Sequence, residues 1–100
     1  MSRNPMTQGL AIEAEIRKEK AGGLRRVGIL LESLLTELGE LQRQLGTLTG
    51  DARARVLARH REVRAQAEKQ QWYLIVQREA MGLTKHHDVY EQYKIPPPAK

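Results

Sequence analysis

The residues of this chain best suited to chemistry are its three histidines, its two serines and a run of arginines. His86, His87 and Asp88 stand in a row, three side chains that bind metals elsewhere. Neighbours on a helix point about 100° apart, whereas chelation on a helix uses i and i+4 spacing. The triplet lacks that spacing and His60 is remote from it, so no metal site is expected. Ser2 and Ser33 lie in no nucleophile-elbow setting, and there is neither a thiol nor a glycine-rich phosphate loop. Glu13, Glu15 and Glu19 alternate with Arg17, Lys18 and Lys20, the pattern of a solvated helix face. The expectation is a protein that is not an enzyme, with no catalytic residue and no cofactor.

Binding is the other chemistry open to charged side chains. The formal net charge is +5, and its excess sits between residues 51 and 69 on Arg53, Arg55, Arg59, Arg61, Arg64 and Lys69. Lysine and arginine contacts to phosphate supply most non-specific nucleic-acid affinity. At 100° per residue, however, Arg53, Arg61 and Arg64 fall on one side of an apolar seam, and Arg55 and Arg59 on the other. Such flanking bases cover apolar edges with their stems and meet glutamates across an interface, for which Glu37 and Glu40 are available. Polyanion contact through Arg53, Arg61, Arg64 and Lys85 is therefore the alternative reading.

The leucines define the elements that position these groups. Leu24, Val27, Leu31, Leu34, Leu38, Leu41, Leu45 and Leu48 recur three and four residues apart, the a/d seam of a helix turned toward a partner helix. A first helix is expected over about 7–48, with Thr7 as its cap. Leu10, Ile12 and Ile16 do not run cleanly into the seam, and Gly22-Gly23 falls at the mismatch. Two interior glycines cost roughly 1 kcal/mol each against alanine, so a kink, break or close backbone contact is expected there. Thr49-Gly50-Asp51 is the turn.

A second helix follows over about 51–81. Its seam is Val56, His60, Val63, Ala67, Gln70, Leu74, Gln77 and Met81, folded back to pair Leu45 with Val56, Leu38 with Val63 and Val27 with Leu74. Gly82 stops it, with Leu83 placed for an apolar contact. A short third helix over about 85–93 would use Val89, Tyr90 and Tyr93 to cover Trp72, Ile75 and Val76, with Leu10, Ile12 and Ile16 as alternative cover. Pro96-Pro97-Pro98 must be extended, and a frayed tail over 96–100 is expected.

Ala67 and Gln70 are too small or too polar to cover the apolar band opposite them. Leu30, Leu34 and Leu35 are the candidate dimer interface, since a second copy is the simplest source of a covering helix. The expected fold is all-α: one domain over 1–100, a long antiparallel helical hairpin with a short C-terminal helix, paired into a dimeric four-helix bundle. No signal-peptide pattern and no apolar run of membrane length are visible, and cysteine is absent. A cytoplasmic protein without membrane contact is the expectation.

Residues 78–93 also resemble the helix–turn–helix of tetracycline-repressor-type regulators. The shared pattern is Ala80, Gly82, Leu83, Thr84-Lys85, then Val89 and Tyr90. That resemblance spans about 16 residues and implies a second helix that enters the major groove. The chain departs from it at Met81, which intervenes before the glycine, and by one extra residue between Lys85 and Val89. The function expected from the whole sequence is a small non-catalytic binding or scaffolding module acting as a homodimer. A nucleic-acid-binding protein is the alternative.

Overall fold

A computed structural model describes residues 5–100, with side chains from Ala11 onward. Its described residues form three helices: α1 (Pro5–Leu45), α2 (Gly50–Ala80) and α3 (His87–Gln92). No strand occurs among them, and the two long helices pack against each other along the leucine seam. Leu31, Leu34, Leu38 and Leu41 of α1 are buried, as are His60, Val63, Ala67 and Leu74 of α2. Two cross-helix neighbours, His60 with Gln42 and Gln77 with Gly23, lie within a residue of the expected antiparallel register. The seam is the core.

Several local expectations change. α1 is helical from Pro5, the first described residue, so Thr7 lies inside the helix rather than capping it. The helix then continues through Gly22-Gly23 without interruption. A Cβ added at either glycine would meet only ordinary contacts: Arg26 at 3.5 Å from the first and Gln77 at 3.5 Å from the second. The helices on either side carry the glycines along, because elongating an existing helix needs no new nucleus.

The turn between the long helices uses Gly50 at φ 62°, in the left-handed region where a Cβ would be strained. At the far end of α2, Gly82 has φ 87°, its N–H donates to Glu79, and the Leu83 N–H reaches back to Arg78. These paired bonds form a Schellman stop, which satisfies carbonyls the helix leaves open. The chain reverses here.

The third pass departs furthest from expectation. Val89 is only 2% exposed, and Tyr93 and Ile95 pack against the same core as the leucines. Tyr90 instead faces outward, and Trp72 and Val76 stay exposed, Trp72 at 60%. Tyr93 follows the edge of α2 that carries Gln71, and Trp72 is one residue, hence about 100°, further outward. Ile12 and Ile16 are also exposed, so the N-terminal part of α1 does not cover Trp72 either. Leu10 has its side chain outside the described residues. The expected frayed tail is tied down: Arg64 Nε donates to the Pro96 carbonyl at 2.8 Å, and an Arg53 nitrogen to the Lys100 main-chain oxygen at 2.6 Å.

Candidate interaction surfaces

The hairpin has two edges with different chemistry. One carries the returning tail. There Arg53, Arg64, Gln71 and Arg78 of α2 donate to main-chain oxygens of Lys100, Pro96, Tyr93 and Lys85. Arg78 also pairs with Asp88 at 3.0 Å, and Arg64 with Glu68 at 2.6 Å. On α1 the tail meets Gly28, where an added Cβ would stand 3.0 Å from the Tyr93 hydroxyl oxygen.

The opposite edge is open. Leu30 is two residues from Gly28, hence about 200° around α1, and Tyr73 stands likewise from Gln71 on α2. Leu30 is 44% exposed and Tyr73 is also exposed. The cross-helix pair Arg59–Glu37, at 2.8 Å, lies on this side and draws the arginine pKa further up. Being exposed, such a pair is screened by solvent and contributes little to stability. Glu40 is held below the usual carboxylate range by Arg43 and Gln44 on its own helix.

The candidate residues divide accordingly. Of the three leucines expected at a dimer interface, Leu34 is buried in the hairpin and Leu35 packs on the core; Leu30 remains open. Of the four bases expected to meet a polyanion, Arg53 and Arg64 hold the tail. Arg61 and Lys85 are exposed, Lys85 lending only its carbonyl to Arg78.

The histidine triplet is similarly divided. His86 Nε2 lies 3.1 Å from Glu79, His87 Nε2 is 3.9 Å from Glu91, and Asp88 faces Arg78. No group of three metal-capable side chains converges among the described residues. His60 is fully buried; its Nε2 lies 3.3 Å from Gln42 Oε1, and its Nδ1 has no protein partner. Burial, with the nearby Arg64 guanidinium second, lowers its pKa from the ordinary 6.5.

Past the end of α2, α1 projects as a lone helix. Gly23 faces Gln77, so residues 5–19 extend beyond the hairpin by roughly 20 Å at 1.5 Å per residue. An open hollow of about 790 Å³ lies at this step, lined by Ile16, Glu19, Gly23, Arg26, Gln77 and Ala80 among others. The tail-bearing edge was missed by sequence reading. Its signal was the recurrence of Arg64, Gln71 and Arg78 at seven-residue intervals, facing a segment rich in prolines.

No helix among the described residues is long and apolar enough to cross a membrane. Comparison with protein-family models, curated proteins and solved structures finds no match to this chain.

Proposed function

We propose that this protein is a non-catalytic helical binding or scaffolding module that acts as a homodimer. The observation that carries this reading is the asymmetry of the hairpin. One side of its seam is covered by the chain's own tail, while the other presents Leu30 and Tyr73. The Cα envelope measures 74 × 26 × 14 Å and includes the tail packed on one side of the two long helices. Its broad face has room for the roughly 800 Å² per partner that a stable interface buries. A second copy laid on the open face by a two-fold axis would supply another helical layer and form the four-helix bundle.

Light scattering tests the assembly. Twice the 11.4 kDa chain mass is expected at micromolar concentration, and Leu30→Glu is expected to shift the population toward the monomer. A wild-type monomer throughout that range would remove the homodimer. The nucleic-acid alternative predicts steeply salt-dependent retention on a polyanion matrix, lost on replacing Arg61 and Lys85. The engagement of Arg53 and Arg64 with the chain's own tail favours the protein-binding reading.

A further inference from the structure

We propose that the tail-bearing edge of α2 is a docking site for an extended, proline-containing segment of a partner protein, and that residues 93–100 occupy it as a built-in competitor. The inference rests on the binding-module reading but not on dimerisation. Four donors line the edge, and three of them, Arg53, Arg64 and Gln71, hold residues 93–100. Arg53, Arg64, Gln71 and Arg78 fall within about 40° of one another around α2. Gln71 Nε2 donates to the Tyr93 carbonyl at 3.0 Å, Arg64 Nε to Pro96 at 2.8 Å, Arg53 to Lys100 at 2.6 Å and Arg78 to Lys85 at 3.1 Å.

The three acceptors within residues 93–100 are main-chain oxygens, whereas Arg78 holds the Lys85 carbonyl and the Asp88 carboxylate. The edge therefore reads a backbone path, and it does so with donors alone. Pro96, Pro97 and Pro98 have no N–H, so their stretch offers acceptors without main-chain donors that would need satisfying. A proline run is also extended before it binds, which lowers its ordering cost. Two anchors set the position: Tyr93 fits against Gly28, and Ile95 packs on the core. The matching ligand is an aromatic residue, an aliphatic residue two positions on, then prolines. The chain's own tail has this chemistry, and being tethered it competes at the effective concentrations of a linked segment, in the millimolar range. Loosening the tail should uncover the edge.

The test uses full-length protein and a fluorescent synthetic peptide with the sequence of residues 91–100, followed by anisotropy. A chain carrying Tyr93→Ala and Ile95→Ala is expected to bind this probe about tenfold or more tightly than wild type, because its own tail competes less. Adding Arg64→Ala should reverse the gain, and a probe with alanines for its three prolines should bind more weakly. Ile95→Ala alone, which keeps Val89 and Tyr93 on the core, serves if the double variant loses helicity by circular dichroism. Helical, loosened chains that bind the probe no better than wild type would overturn the docking site. Light scattering on the same samples separates the two readings. Monomers with the affinity gain leave the docking site and remove the homodimer, and dimers without it do the reverse.

Discussion

His60 is the buried polar residue of the helical seam. A buried polar atom without a partner costs about 1–3 kcal/mol, and Nδ1 is in that position while Nε2 meets Gln42. Its folded pKa lies below 6.5 because burial, then Arg64, disfavours the cation. The unfolded chain therefore takes up the proton more readily. The stability associated with neutral His60 is complete above about pH 6.5 and is lost as pH falls toward the folded value. His60→Leu keeps an apolar filling and removes that linkage. Thermal melts between pH 7.5 and 5 should fall less steeply for the variant, and an unchanged slope would contradict this account. Glycines offer a second residue-scale contrast. A Cβ on Gly39 meets nothing within 4 Å, so Gly39→Ala should gain about 1 kcal/mol in denaturant titrations. Gly28→Ala has the same helical advantage but presses on the Tyr93 hydroxyl, and should gain less or lose.

At the scale of elements, the tail and the N-terminal part of α1 carry the predictions. Tyr93→Ala removes a half-buried ring from the core and should cost about 1.5–3 kcal/mol. Trp72 emission should not move with it, since that indole is already 60% exposed on another side of α2. A red shift would mean that the tail covers Trp72. Replacing Gly22 and Gly23 together with alanine should raise helicity and melting temperature, because neither Cβ meets a close contact. The long helices were legible because a leucine every three or four residues admits one helical seam, and His60, Val63, Ala67 and Leu74 answer it. The tail was not legible as an element. Prolines announce an extended backbone but not what will hold it, and the arginines that do so also fit a solvated flank. Gly22-Gly23 misled because propensity is a weak term beside the helix on either side.

The whole molecule is long for its mass. Its Cα radius of gyration is 19.7 Å, where a compact chain of this length would be about 13 Å. Small-angle scattering from the Leu30→Glu chain should give a value near the larger figure. A value near 13 Å would mean that the N-terminal part of α1 folds back. The elongation has a consequence for anything attached at either tip. Arg53 draws Lys100 to the α1–α2 turn, while Pro5 lies at the other end of α1, roughly 60 Å away along a continuous helix. Cargo joined near Pro5 and cargo joined near Lys100 would be held apart by a strut braced along part of its length, at a spacing set by residue count rather than by the reach of a flexible linker.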